Sequence, residues 1–84
     1  MSSSSDRTLG ERLRRMRERV GKSTRELAGE VGCGHSMLVR WENDERAPSL
    51  TKARDLAAAL RISLDALLAN VEIRERGQRM RRRK

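Results

Sequence analysis

Residues 23–43 carry two short helical patterns with almost nothing between them, and that spacing limits the chain more than any other feature. Ser23-Thr24-Arg25-Glu26 has the form of a capping box. In such a box the serine oxygen accepts from the amide three residues on, and the glutamate reaches back to the serine amide. It opens a helix whose Leu27, Ala28 and Val31 face inward. Gly32-Cys33-Gly34 breaks the pattern, and the next helix runs from about His35 to Asn43. Two helices joined by a connection of about three residues must cross through a tight turn. Gly32 supplies the positive φ that such a turn needs and that other residues adopt only at a cost. Ala28 falls where the two helices approach closely, and Leu38 plugs the interior from the middle of the later helix.

The flanking sequence continues at helical spacing. Leu9, Leu13, Met16 and Val20 mark one face of an opening helix, with Asp6 or Ser5 available to cap it and Gly21 placed to end it. Asp44–Ser49 reads as a loop, and Ser49 caps a helix from Leu50 to about Leu60 with Leu56, Ala57 and Leu60 inside. Ser63 caps a last short helix that turns Leu64, Leu67 and Leu68 inward, with Val71 a further candidate. Beyond Asn70 the apolar pattern fades. The expected organisation is a polar N-terminal tail over 1–5 that stays disordered, one domain over 6–70, and a basic tail over 71–84.

Composition narrows the fold and the chemistry. A chain of 84 residues has room for one domain, and at that size folding buries only about 60% of the unfolded surface. Trp41 is the sole aromatic residue, so the core must be aliphatic, which suits thin helices better than a sheet sandwich. The expected class is all-α. No paired carboxylates, nucleophile–base set or glycine-rich phosphate loop is present, so no enzyme activity and no cofactor are expected. Cys33 has no disulfide partner, and with His35 it lacks the further ligands that zinc spacing requires, so it reads as a small hydrophobe. No apolar run approaches the roughly 20 residues that span a bilayer, and the first residues do not resemble a signal peptide. The expected compartment is the cytoplasm, at the nucleoid.

The net charge is +8, of which +5 lies in residues 71–84 and +3 in residues 1–70. A basic body with a more basic tail asks for a polyanionic partner, either nucleic acid or an anionic membrane surface. We take the nucleic acid as the partner and expect none in the membrane.

Leu9-Gly-Glu-Arg-Leu-Arg14, Arg17, Ser23-Thr-Arg-Glu-Leu-Ala28, Gly32, Arg40-Trp-Glu42, Arg46-Ala-Pro-Ser-Leu50, Leu56-Ala-Ala-Ala-Leu60 and Ile62-Ser-Leu-Asp-Ala-Leu-Leu68 follow one another in order. This set resembles the Cro/repressor-type (XRE-like) helix-turn-helix domain of phage repressors and small bacterial regulators. The resemblance implies a compact five-helix, lambda-repressor-like fold with the helix-turn-helix at helices 2 and 3. It further implies a transcriptional regulator that binds double-stranded DNA. Thr24 stands where many members carry Gln, Gly34 where a hydroxyl cap is usual, Cys33 where Val is usual, and Asp44-Glu45 where Gly-Lys is common. An uncapped start leaves helix 3 open to fraying.

Helix 3 would be the recognition helix: nine residues make a rod of roughly 13 Å, which fits a major groove about 12 Å wide. Its residues that turn away from Leu38 are His35, Ser36, Val39 and Arg40, and the resemblance implies the same four as base readers. Arg40 suits guanine O6 and N7, His35 or Ser36 a base or phosphate, and Val39 a thymine methyl. Ser23 and Thr24 at the start of helix 2, with Asn43 and Arg46 past helix 3, are the candidate phosphate contacts. The resemblance also implies an internal ion pair between Arg17 and Glu42, which would keep the glutamate from repelling phosphates.

The same resemblance implies a homodimer formed through helices 4 and 5, here with Leu50, Leu64 and Leu67 as the surface, on a near-palindromic operator. An alternative is an antitoxin-like or partner-binding protein in which DNA binding is secondary. The basic tail reads as a solvated end, an arm on DNA or a segment for a protein partner.

Overall fold

The computed structural model describes residues 6–74. Five helices follow one another: α1 (Leu9–Arg19), α2 (Thr24–Val31), α3 (His35–Glu42), α4 (Leu50–Leu60) and α5 (Leu64–Leu68). Helix α3 packs on α1 and α2, α4 packs on α2 and α5, and α5 returns to α1, so the ring closes around one core. Leu13, Leu27, Leu38, Leu56, Leu60 and Leu67 are its fully buried side chains, joined by Trp41. The centre is therefore almost wholly leucine. Among the described residues there is no strand, only an isolated parallel bridge between Thr8 and Glu72.

Local chemistry sets the helix ends. Ser23, Ser49 and Ser63 each accept a bond from the amide three residues on, and the capping box of Ser23 and Glu26 is complete. Gly21 and Gly32 both take positive φ, at +74° and +78°, where a helix stops and the chain reverses. Lys52 donates to the carbonyls of Val31 and Gly32, so a side chain from α4 satisfies the open end of α2.

Several expectations from the sequence need correction. Helix α1 is capped by Thr8 in a box with Glu11, not by Asp6 or Ser5. Asp6 lies two residues too early and instead accepts from Arg12 and Arg15. Val20 is exposed, because α1 ends just before it and the backbone has left the helical path. Leu64 is only half-buried, since α5 is too short to turn three leucines into one core. Leu67 is fully buried and cannot contribute to a dimer surface. Nor does the packed body stop at Asn70: Glu72 exchanges backbone bonds with Arg7 and Leu9, each 2.9 Å. Asn43 caps α3 instead of extending it. The expectations for residues 1–5 and 75–84 lie outside the described residues.

Candidate nucleic-acid interface

Helix α3 is held from behind and open in front. Leu38 and Trp41, three residues apart, point into the core. Ser36 and Arg40, four apart, share the opposite edge and are both exposed. Val39 and His35 are half-buried beside that edge, on the flank nearer α2. The structure thus brings the four expected base-reading residues onto one face, with Ser36 and Arg40 outermost.

His35 is not free. Its Nε2 lies 2.8 Å from Thr24 Oγ1, joining the first residue of α3 to the first residue of α2. Gly34 provides no side-chain cap. A bond from His35 to a neighbouring helix therefore pins the end that the sequence leaves open to fraying. Ser23 is exposed beside it, and the capping box uses the amides of Ser23 and Glu26. The remaining first-turn amides, of Thr24 and Arg25, point out of the helix end, where the dipole also favours an anion.

At the other end, Arg17 and Glu42 form a two-point ion pair, Nε to Oε2 at 2.7 Å and Nη2 to Oε1 at 3.2 Å. The side chains are 12% and 7% exposed, so solvent screens the pair little. The hydrogen bond to Glu42 raises the Arg17 pKa above its ordinary value, against the smaller opposing effect of burial. Arg17 Nη1 also donates to the Lys22 carbonyl at 2.9 Å. One guanidinium thus ties α1 to the end of α3 and to the turn before α2. It also cancels the negative charge that a DNA backbone would otherwise meet at Glu42.

Asn43 and Arg46 are exposed just beyond α3. Arg46 and Lys52 border an open cavity of about 440 Å³ that Met37 and Trp41 floor, which places two cations along that flank of the helix. Cys33 is half-buried against the core; burial pushes its thiol pKa up while Lys52 pulls it the other way. A thiol in that state is a poor nucleophile.

Two positioning residues escape sequence reasoning. Asp44, with φ +62°, accepts from the Thr8 hydroxyl at 2.7 Å and from the Gly10 amide at 3.0 Å, so it caps α1 from the turn that closes α3. Lys22 donates to the Ala59 carbonyl at 2.9 Å and to Glu30, linking α2 to α4. A signal for the first existed in Gly10, a glycine in the first turn of a helix, where it weakens the helix unless something must come close.

The family model for the helix-turn-helix matches residues 13–67, which span α2, the turn and α3 together with α4 and most of α1 and α5. The chain belongs to the XRE-like helix-turn-helix family. This helix-turn-helix domain is 28% identical to the transcriptional regulator ImmR of Bacillus subtilis over 71 residues, 84% of this chain and 56% of ImmR. It thus spans little more than half the length of that curated relative. Among solved structures, the regulator SinR in complex with DNA is 31% identical with a TM-score of 0.69, over 73% of this chain and 98% of that one. The P22 c2 repressor with a synthetic operator is 30% identical with a TM-score of 0.72, over 76% and 97% of the two chains. Helix-turn-helix membership accounts for the five-helix order. Among the described residues, no helix is long and apolar enough to cross a membrane.

Proposed function

We propose that this chain is a sequence-specific regulator of transcription that inserts α3 into the major groove of double-stranded DNA. The observation that carries this reading is the division of α3 into a locked face and an open one. Leu38 and Trp41 fix the helix, Arg17 neutralises its terminal glutamate, and Ser36, Val39 and Arg40 are left to meet base edges. Ser23 and Thr24 on one side, with Asn43 and Arg46 on the other, flank the helix as phosphate contacts. SinR and the P22 c2 repressor, with the same fold, are described bound to DNA and to an operator, which supports the same role here.

The protein acts as a homodimer, with two α3 helices in successive major grooves about 34 Å apart on a near-palindromic site. Leu50, 65% exposed at the start of α4, and half-buried Leu64 are the apolar side chains offered for that contact. Such a protein works at the nucleoid, in the cytoplasm, without catalysis. A second reading, in which a protein partner covers this surface, draws on the solved complex of SinR with SinI.

Selection from a random duplex pool tests the proposal, together with hydroxyl-radical footprinting and sedimentation on the selected site. The expected result is a two-fold motif with half-sites about one helical turn apart, bound by two chains. DNA that leaves the signals of residues 35–43 unshifted in a chemical-shift map would overturn it.

A further inference from the structure

We propose that the open cavity between α3 and the start of α4 is an effector site for a small aromatic carboxylate, whose binding competes with DNA. The competition, though not the site, rests on the DNA-binding reading above. The cavity measures about 440 Å³, within the range of about 300–1,000 Å³ that small-molecule sites occupy. Three segments enclose it: the turn between α2 and α3, one flank of α3, and the loop that leads into α4. Met37 and Trp41, four residues apart on α3, form the floor, and Cys33 adds a second sulfur from the turn. Burial raises the Cys33 thiol pKa, so this sulfur is uncharged and extends the apolar lining. Two polarisable sulfurs and the edge of an indole favour an aromatic ring, through sulfur–ring contacts and offset or edge-on packing. The wall beside the turn is low, since even a Cβ at Gly34 would meet no atom within 4 Å.

Charge selects the rest of the ligand. Arg46 and Lys52 both border the cavity, and among the described residues neither pairs with a carboxylate. Lys52 donates to the carbonyls of Val31 and Gly32 at 3.1 and 3.4 Å, which fixes its charge at the rim and leaves one ammonium hydrogen unused. Arg46 is exposed and carries a planar fork that matches a carboxylate. A ring on the sulfur-lined floor with a carboxylate on these cations uses both halves of the cavity. A DNA phosphate could meet Arg46 but would leave the apolar floor uncovered. Competition follows because Arg46 is also a proposed phosphate contact, and Met37 follows Ser36 on α3. The bound carboxylate takes Arg46 from the backbone and adds a negative charge beside it. By linkage, DNA must weaken the ligand by the same factor.

The test titrates the isotope-labelled full chain, without DNA, with indole-3-acetate as the probe and with indole-3-acetamide and inorganic phosphate as controls. Saturable shifts are expected at the Trp41 indole and at Cys33, Met37, Arg46 and Lys52, with a dissociation constant of about 1 mM or below. The amide keeps the ring without the charge and should bind several-fold more weakly, while phosphate should leave the Trp41 signal in place. Arg46→Gln should weaken the acid several-fold, and so should Cys33→Ile, which fills the floor but keeps both cations. Thermal melting checks folding, and exposed Arg46 decides the matter if Cys33→Ile does not fold. The absence of saturable shifts overturns the site, as does equal binding of the amide. Phosphate that reproduces the shifts also overturns it, because any anion then suffices. On the selected duplex, saturating indole-3-acetate should weaken binding several-fold at matched ionic strength, and the amide should not. Unchanged affinity there overturns the competition. If the chain prefers no duplex sequence, the recognition-helix reading fails, while the titration without DNA still decides the cavity.

Discussion

Asp44 and Gly10 meet through a 3.0 Å bond from the Gly10 amide to Asp44 Oδ1, so a residue of the turn just after α3 also satisfies an open amide in the first turn of α1. A Cβ on Gly10 would lie 2.6 Å from that oxygen and from the Glu42 carbonyl, and 2.7 Å from the Trp41 carbonyl. Two of those neighbours are backbone and cannot swing away. Gly10→Ala is therefore expected to destabilise the domain by about 1–3 kcal/mol, although alanine is the better helix former. Gly29, inside α2 with open space around it, is the control, and Gly29→Ala should stabilise by up to about 1 kcal/mol. Thermal melting by circular dichroism reads both, and a rise in melting temperature for Gly10→Ala would contradict the close approach.

The Arg17–Glu42 pair should behave as a unit. Removing one partner leaves a nearly buried charge without its mate, a loss of about 3–5 kcal/mol for a fully buried pair and near the lower end here. Arg17→Met should also weaken DNA binding beyond its effect on folding, since Glu42 then faces the backbone uncompensated. Adding Glu42→Gln to Arg17→Met should recover part of both losses. Urea titrations of the four proteins in the cycle measure the coupling, and additive effects would mean that the pair contributes nothing of its own.

Arg40 is the strongest candidate for a base contact because it is exposed on the outward edge of a helix that cannot rotate. Arg40→Ala should cost about 1–3 kcal/mol on the selected site and relax preference at one base pair. A repeated pool selection with the variant shows which position relaxes. Equal loss on every sequence would make Arg40 a phosphate contact.

Thr24, besides the phosphate contact proposed for it, positions His35. Thr24→Val keeps the shape and removes the 2.8 Å bond to the ring, so the first turn of α3 loses the one side-chain hydrogen bond it makes among the described residues. The expected loss is about 0.5–1.5 kcal/mol on the selected site, with folding almost unchanged and Thr24→Ser restoring most of it. Restoration by serine separates a hydrogen bond from a packing effect.

Acid stability should depend on Asp6. Burial opposes its ionisation, but hydrogen bonds from Arg15 and Arg12 outweigh it and hold the carboxyl below its ordinary value of 3.8. A depressed pKa in the folded state means that the stabilisation is fully present above the ordinary value. It is lost as pH falls through the lower folded value. Asp6→Asn should lower stability at neutral pH and flatten the fall below about pH 4. Parallel slopes for both proteins in that range would exclude Asp6 as the group responsible.

Much of the fold was legible in local signals. Three serine caps, two glycine stops and the four-and-three spacing of leucines each report on a few neighbouring residues, and such signals need no knowledge of the tertiary fold. The outward face of α3 followed from the same spacing, because a helix with Leu38 inside must turn Ser36 and Arg40 out. What failed was of a different kind. Val20 and Leu64 fit the apolar pattern, yet their burial depends on how far their own helices extend and on what packs against them. Asp6 and Thr8 are both good caps by type, and only the path of the backbone chose between them.

By itself the sequence determined the helices, the turn at Gly32 and the chain's excess of positive charge, since these depend on residue type and on separations of a few positions. Only the tertiary structure decided that His35 leans on Thr24, that Asp44 serves α1, and that the chain past Asn70 is sewn to Thr8. Each of these joins residues 11 to 64 positions apart. A hydrogen bond at such separation forms only after packing has brought its ends within about 3 Å, and no local pattern encodes that distance.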